Sequence, residues 1–122
     1  MIRGLDHVNI STANLAGTKA FFIEVLGLEE GWRPPLSFNG AWLYADGRDL
    51  VHLAEQDEAP RPSRGSSLDH FAFAIDDYDE AVRRLEAAGV AYRRLEAPAG
   101  GIRQLFIADL NGTTIELNWR PG

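Results

Sequence analysis

A short motif occurs twice in this sequence, and the repeat constrains the fold more than any other feature. Leu-Asp-His lies at residues 5–7, in LDHVNI, and again at residues 68–70, in LDHFAF, an offset of 63. Three further landmark pairs have offsets of 62 to 65: Gly27 and Gly89, Gly47 and Gly112, and His52 and Glu116. Four landmarks in one order and with nearly one spacing predict an internal duplication.

Each copy has the sequence signals of a strand, a helix and a hairpin. Asn14 is a favourable N-cap for the first helix, and Asp77 with Glu80 resembles a capping box at the start of the second. A glycine follows each helix, as expected for a left-handed C-terminal exit. The hairpins are predicted to turn at Asp46-Gly47 and Asn111-Gly112, dipeptides that accept positive φ.

The repeat predicts an α+β fold with two duplicated β-α-β-β-β modules. The modules are assigned to residues 1–55 and 68–122, and a polar linker to residues 56–67. Each helix must bury its apolar stripe, so we expect a curved, eight-stranded mixed sheet with the helices on its convex face. At 122 residues, the chain fits one such domain.

Composition excludes several classes of function. The net charge of −6 argues against a nucleic-acid partner. The absence of cysteine excludes disulfides, thiolate metal ligands and a cysteine nucleophile, and it fits a reducing cytoplasm. No charged-then-apolar leader is present, and no apolar run approaches the ~18 residues of a membrane span. We therefore expect a cytoplasmic protein without a membrane partner.

Strand alternation places the chemically reactive residues on one face of the sheet. Bulky apolar residues next to each of them occupy the opposite face, which must pack on the helices. The four residues on the other face are His7, His52, His70 and Glu116, and they include every histidine in the chain. Imidazole and carboxylate are ligands for Fe, Mn, Co, Ni or Zn, so the pattern predicts a site for one divalent metal ion.

Further residues on this face are candidate contacts for a small-molecule substrate. A three-residue loop at 110–112 would place Phe106 opposite Glu116 and Gln104 opposite Asn118. Gln104, Phe106 and Asn118 are then predicted to contact the substrate. A slip of one residue in the register would reverse the assignment of Gln104 and Phe106.

The register is open in the first module. Either Trp42 and Tyr44 or Ala41 and Leu43 face the predicted metal site, because His52 lies five residues after its hairpin glycine whereas Glu116 lies four after its own. The segment GWRPPLSFNG is predicted to be a substrate-facing loop. Its Arg33 is a candidate for binding a carboxylate through two parallel hydrogen bonds.

These motifs resemble the vicinal-oxygen-chelate superfamily, which has the glyoxalase/bleomycin-resistance/dioxygenase fold. The segments that carry the resemblance are LDHVNI with FFIEVLGL, LVHL, LDHFAFAI and FIADLNGTTIELNW. The last is similar to the family ending D-P-[DN]-G-x-x-x-E-L, although Leu110 stands in place of the proline. The resemblance covers essentially the whole chain, and it implies the fold and a homodimer.

The resemblance also implies roles for the four residues. His7, His70 and Glu116 match the His-His-Glu metal ligands of the dioxygenases and of the fosfomycin-modifying transferases in this superfamily. His52 stands where lactoylglutathione lyase has a glutamate implicated in proton transfer, a departure that argues against glyoxalase chemistry proper. His52 is therefore predicted to be either a fourth ligand or a catalytic base beside the metal.

Three classes of function stay open at this point. The first, which we favour, is a metal-dependent isomerase or lyase acting on a small oxygen-chelating substrate. The second is an extradiol-type dioxygenase, because two histidines and a carboxylate also suit Fe(II) and dioxygen. The third is a metal-free drug-binding protein similar to bleomycin-resistance proteins, against which the complete set of four residues argues.

Overall fold

The computed structural model describes residues 1–97 and 99–122, and the chain divides into two units, Met1–Arg61 and Pro62–Gly122. The elements of the first unit are β1 (Val8–Thr12), α1 (Leu15–Ala20), a π-helical segment (Phe21–Val25), β2 (Glu29–Gly31), β3 (Gly40–Ala45) and β4 (Arg48–Glu55). Those of the second are β5 (His70–Ile75), α2 (Tyr78–Ala87), β6 (Arg93–Glu96), β7 (Arg103–Ala108) and β8 (Thr114–Trp119).

The two units have the same topology. The strand orders are β1-β4-β3-β2 and β5-β8-β7-β6. In each unit the first strand runs parallel to the last, and the other pairs are antiparallel. The predicted α+β fold of two β-α-β-β-β modules is confirmed, with the eight strands divided between two four-stranded mixed sheets. That the two modules form one domain stays a prediction.

The helices begin and end where the capping residues predict. The Asn14 side-chain oxygen accepts a hydrogen bond from the Gly17 amide, and the Asp77 carboxylate accepts one from Glu80, each at 2.9 Å. Gly27 and Gly89 have φ values of 79° and 68°. The Glu80 side chain instead pairs with two arginines of α2, so only half of the predicted capping box forms.

The end of the first helix differs from a regular α-helix. The backbone widens into the π-helical segment, and the Leu28 amide donates to the Phe22 carbonyl six residues earlier. Phe22 and Leu28 are both buried, so this wide exit places two apolar side chains in the core. None of the helices in residues 1–97 and 99–122 has the length and apolar character that a membrane crossing requires.

The buried cores confirm the faces that alternation predicts. In the first unit β3 and β4 contribute the buried residues Ala41, Leu43, Val51 and Leu53. In the second unit β7 and β8 contribute Leu105, Ile107, Ile115 and Leu117, and α2 adds Tyr78 and Leu85. On β5 the apolar residues Phe71, Phe73 and Ile75 are only half-buried. In its own sheet, each of His52, His70 and Glu116 therefore lies on the face away from the core, and His7 directly precedes β1.

Candidate metal centre

The register of the second unit aligns Glu116 with Phe106, and Asn118 with Gln104, as predicted. The reason is the loop before β8, in which Gly112 has a φ of 78°. The Asp109 carboxylate accepts hydrogen bonds from the Asn111 and Thr113 amides at 2.9 and 2.8 Å. These bonds close the turn, and Leu110 within it is exposed.

His70 and Glu116 form the first pair of potential metal ligands. The distance between His70 Nε2 and Glu116 Oε1 is 3.6 Å. Glu116 is 8% exposed, and within residues 1–97 and 99–122 no hydrogen bond reaches its carboxylate. An imidazole nitrogen and a carboxylate oxygen are both common metal donors. The pair therefore has the donor chemistry of a cation site.

A neighbouring carboxylate orients the His70 ring. His70 Nδ1 lies 2.7 Å from Asp69 Oδ1, and Asp69 Oδ2 accepts the Gly65 amide at 2.7 Å. The hydrogen bond from Gly65, followed by the one from His70, lowers the pKa of Asp69. An ionised carboxylate can only accept, so Nδ1 donates to Asp69, and Nε2 is the ring nitrogen that faces Glu116.

Ser63 connects this arrangement to the last strand. Its hydroxyl donates to the Asp69 carbonyl at 2.7 Å and accepts the Thr114 amide at 2.8 Å. Part of the predicted linker is therefore an ordered bracket, residues 63–69, that holds Asp69 against β8. Sequence reasoning treated this segment only as polar. The available signal was the Asp that precedes the histidine in both LDH motifs.

The corresponding face of the first unit carries a column of stacked rings. The His7 and His52 rings stack with centroids 3.7 Å apart, and Trp42 stacks on the other side of His52 at 4.0 Å. Trp32 contacts Trp42 edge-on at 5.8 Å. His7 Nδ1 lies 2.8 Å from Asp6, so Nε2 is the ring nitrogen left for another partner, as it is in His70.

His52 also contacts a carboxylate, that of Asp49, but through Nε2 and not through Nδ1 as in His7 and His70. Its Nε2 lies 2.7 Å from Asp49 Oδ2, and the hydrogen bond from His52 lowers the pKa of Asp49. Asp49 reaches this face because the β3–β4 register shifts beside Leu43 and Tyr44, so that Leu50 is an extra residue. The bulge also accounts for the five-residue spacing that left the register open in the sequence.

The same register decides between the two alternatives for β3. Trp42 pairs with His52 and lies on its face, whereas Ala41 and Leu43 are buried in the core. Tyr44 packs against Gly31, where an added Cβ would lie 2.6 Å from the Tyr44 ring. The Tyr44 hydroxyl donates to the Trp32 carbonyl at 2.6 Å.

Arg33 is engaged within its own loop. Its Nη2 donates to the Phe38 carbonyl at 2.7 Å, and the guanidinium lies 5.0 Å from the centre of the Phe38 ring. Its buried Nε has no hydrogen-bond partner. These contacts close the loop between β2 and β3, and the predicted role of Arg33 in carboxylate binding stays a prediction.

Each unit thus contributes two of the four predicted residues. His7 and His52 belong to the first unit, and His70 and Glu116 to the second. Among the described residues, no group of three or more His, Cys, Asp or Glu side chains is close enough together to hold a metal ion. Asn118 lies on the same face as Glu116, and its buried side-chain oxygen has no hydrogen-bond partner. A polar ligand would satisfy that oxygen.

Comparisons with known proteins agree with this fold. The family model of the Glyoxalase/Bleomycin resistance protein/Dioxygenase superfamily matches residues 4–117. The curated relative Glyoxylase I 4 of Arabidopsis thaliana is 31% identical, over 95% of this chain and 70% of its own. The chain therefore belongs to the Glyoxalase/Bleomycin resistance protein/Dioxygenase superfamily.

Two solved structures show the same fold at lower identity. The glyoxylase/bleomycin resistance protein/dioxygenase domain from Frankia sp. EAN1pec has a TM-score of 0.80 at 23% identity, over 99% of this chain and 100% of that one. The E126Q mutant of the fosfomycin resistance protein FosX from Listeria monocytogenes, solved in complex with Mn(II), has a TM-score of 0.78 at 23% identity, over 99% and 95%.

Proposed function

We propose that this protein is a divalent-metal-dependent enzyme that acts on a small substrate chelating the metal through adjacent oxygens, by isomerase or lyase chemistry. The observation that carries the proposal is the His70–Glu116 pair. It combines a buried carboxylate without hydrogen-bond donors and an imidazole whose free nitrogen faces that carboxylate. Membership of the superfamily and the Mn(II) complex of FosX support a metal-dependent reaction.

The separation of the two donor atoms fits a shared cation. Donors about 2.1 Å from one metal ion, at octahedral or tetrahedral angles, lie roughly 3.0–3.4 Å apart. The observed 3.6 Å between His70 Nε2 and Glu116 Oε1 is close to that range. A bound dication would also neutralise the buried Glu116 charge. The donor set suits Fe, Mn, Co, Ni or Zn.

His7 is the proposed third ligand. Its Nδ1 is bound to Asp6, so its Nε2 is available in the same way as that of His70. The first module supplies this ligand either from the same chain or, by exchange of modules, from a second copy in the homodimer we propose. We place the enzyme in the cytoplasm, with no nucleic-acid or membrane partner.

His52 is the proposed catalytic base. Asp49 accepts the proton of Nε2, so Nδ1 keeps a lone pair that can take a proton from the substrate. Trp42 and His7 hold the ring between them, which limits its rotation. The metal, when bound, would act as a Lewis acid that stabilises negative charge developing on the substrate oxygens. The alternative role of His52 as a fourth ligand would use the same Nδ1.

The remaining residues on these faces are proposed substrate contacts. Gln104, Phe106 and Asn118 flank Glu116 in the second unit, and the free Asn118 oxygen can accept a substrate hydroxyl. Trp42 and Tyr44 contribute aromatic surface in the first unit. The N–H donors of Arg33 that do not bind the Phe38 carbonyl are proposed to bind a carboxylate of the substrate.

The metal site is tested by anaerobic reconstitution with each of the five metals, followed by elemental analysis. The wild-type protein should bind one metal per site, and Glu116→Gln should lose it. Glu96→Gln is the matched control, because Glu96 is an exposed strand glutamate paired with Arg103. Equal metal content in Glu116→Gln and the control would refute the assigned site.

Oxygen dependence distinguishes the reaction classes. An isomerase or lyase should turn over candidate substrates equally well with and without dioxygen. Turnover that stops under strict anaerobiosis, with stoichiometric oxygen uptake, would instead identify a dioxygenase. Tight binding of flat drug-like molecules by a protein that takes up no metal would identify a binding protein. Sedimentation at micromolar concentration tests the dimer, which a monomer would contradict.

A further inference from the structure

A cationic side chain that sequence reasoning did not single out lies on the same face as Glu116. Arg93 of β6 pairs with Phe106 of β7, and Phe106 pairs with Glu116 of β8, so the three share one row of the sheet. The Arg93 guanidinium carbon lies 4.6 Å from the centre of the Phe106 ring. That ring contacts the His70 imidazole edge-on at 5.7 Å. Two ring contacts therefore lead from the guanidinium to the ligand pair.

The charge of Arg93 is not used elsewhere in the described part of the chain. Within residues 1–97 and 99–122 it has no hydrogen bond and no ion pair. Other arginines of the unit do have partners: Arg83 and Arg84 pair with Glu80, and Arg103 pairs with Glu96. Stacking on an aromatic ring holds a guanidinium by its face and leaves the N–H donors in its plane free to bind a ligand.

We propose that Arg93 binds an anionic group of the substrate. The substrate class is then a small acid that carries a carboxylate or phosphate-type anion beyond its metal-chelating oxygens. The planar donors of Arg93 suit such a group because they can form two parallel hydrogen bonds to it. Phe106 lies between Arg93 and Glu116 and would contact the hydrocarbon part of the substrate, which separates the anionic group from the metal-chelating oxygens. This assignment rests on the metal-dependent function proposed above.

The overall charge of the protein makes a local cation necessary for such a substrate. A net charge of −6 repels anions at long range. A bound dication would balance the charges of Glu116 and of Asp69, which hydrogen-bonds to His70, and Arg93 would then leave one positive charge over. The site would therefore attract an anion although the protein as a whole does not.

The proposal is tested with two acids that differ only at one end. Malate and 2-hydroxybutyrate share a hydroxy-acid chelating group and four carbons, but malate ends in a carboxylate where the other ends in a methyl. Calorimetric titration into the Mn²⁺-loaded wild type should show malate binding more tightly by about tenfold, as expected for a hydrogen-bonded charge.

Variants of two adjacent arginines separate Arg93 from general charge effects. Arg93→Gln should remove most of the malate preference, and Arg93→Lys should retain part of it. Arg94→Gln is the matched control, because Arg94 pairs with the core-facing Leu105 and contacts Tyr92. It should keep the wild-type preference. Mn²⁺ affinity, titrated first, should be the same in all of these proteins.

The outcomes separate this assignment from the metal proposal. Normal Mn²⁺ binding without a malate preference in the wild type would overturn the role of Arg93 alone. A preference that persists in Arg93→Gln, or falls equally in Arg94→Gln, would do the same. A wild type that binds no Mn²⁺ would overturn the metal proposal and the substrate class together.

Discussion

The two LDH motifs look alike in sequence but are supported differently in the structure. In the second unit Asp69 is held by the Gly65 amide and by Ser63, and it is bound in turn to His70. In the first unit the Asp6 side chain is 86% exposed, and within residues 1–97 and 99–122 it pairs with His7 alone. The duplication therefore kept the Asp–His pair in both modules, while only the second encloses it in an ordered bracket.

The equivalent positions His52 and Glu116 also differ between the two modules. Glu116 is a buried carboxylate directed at His70, whereas its counterpart His52 stacks between two rings and hydrogen-bonds to Asp49. In the proposed scheme, the second module supplies two metal ligands, and the first supplies a third ligand and the base. The scheme therefore predicts that metal affinity depends mainly on the second module and proton transfer on the first.

The largest contrast is expected between His70→Ala and His52→Ala. Loss of a ligand should lower Mn²⁺ affinity in His70→Ala by more than the roughly 10–100-fold typical of residues that only orient a ligand. His52→Ala should keep stoichiometric metal, because His52 acts as a base in this scheme. Elemental analysis and Mn²⁺ titration measure both. Wild-type metal content in His70→Ala would contradict the site, and metal loss in His52→Ala would make His52 a ligand.

Replacing the aspartates of the two LDH motifs should also weaken Mn²⁺ binding more in the second module than in the first. The effects should be smaller than the loss of His70 itself. Asp69→Ala should lower Mn²⁺ affinity by about 10–100-fold, because the His70 tautomer is no longer fixed. Asp6→Ala should have a smaller effect, since Asp6 is itself exposed. Nitrogen-15 NMR of the metal-free protein reports the tautomer directly, and His70 should carry its proton on Nδ1.

Asp69→Asn is the control for this prediction. The single amide oxygen can still accept the Nδ1 proton if the Gly65 amide loses its acceptor, so Asp69→Asn should keep the tautomer of His70 that Asp69→Ala loses. Equal effects of Asp69→Ala and Asp6→Ala on metal affinity would show that the bracket has no influence on the ligand.

A third prediction concerns Asp49, which binds Nε2 of His52, whereas Asp6 and Asp69 bind Nδ1 of their histidines. His52 should carry its proton on Nε2, in contrast to His7 and His70, because the ionised Asp49 can only accept. Asp49→Ala should shift His52 towards a mixture of tautomers and leave His70 unchanged. The same NMR experiment measures both rings. A wild-type His52 protonated on Nδ1 would contradict its role as a base at that atom.

The predictability of these features from sequence follows from their physical origin. The face of Glu116 could be predicted because Ile115 and Leu117 alternate with it and are buried. Its register with Phe106 followed from a glycine loop of recognisable length. Both depend on short-range rules that operate along one or two strands.

The missed residues depend on features that such rules do not contain. Asp49 reaches His52 only because of a bulge at Leu50, which strict alternation does not anticipate. The role of Asp69 depends on hydrogen bonds from a backbone amide and a serine in a segment without periodicity. All four residues of the strand that contains Arg93 are exposed, so alternation between buried and exposed positions does not indicate which face of the sheet Arg93 occupies.

The smallest expected effect compares the two hairpin glycines that first indicated the duplication. Gly47 and Gly112 have φ values of 73° and 78°, so alanine at either should cost about 1–2 kcal/mol. At Gly112 the new Cβ would also lie 2.9 Å from Pro62 Cβ, whereas at Gly47 nothing lies within 4 Å. This overpacking should add about 1 kcal/mol or more to the loss in Gly112→Ala. Urea unfolding measures the two free energies of unfolding, and equal losses would mean that Pro62 moves aside without cost.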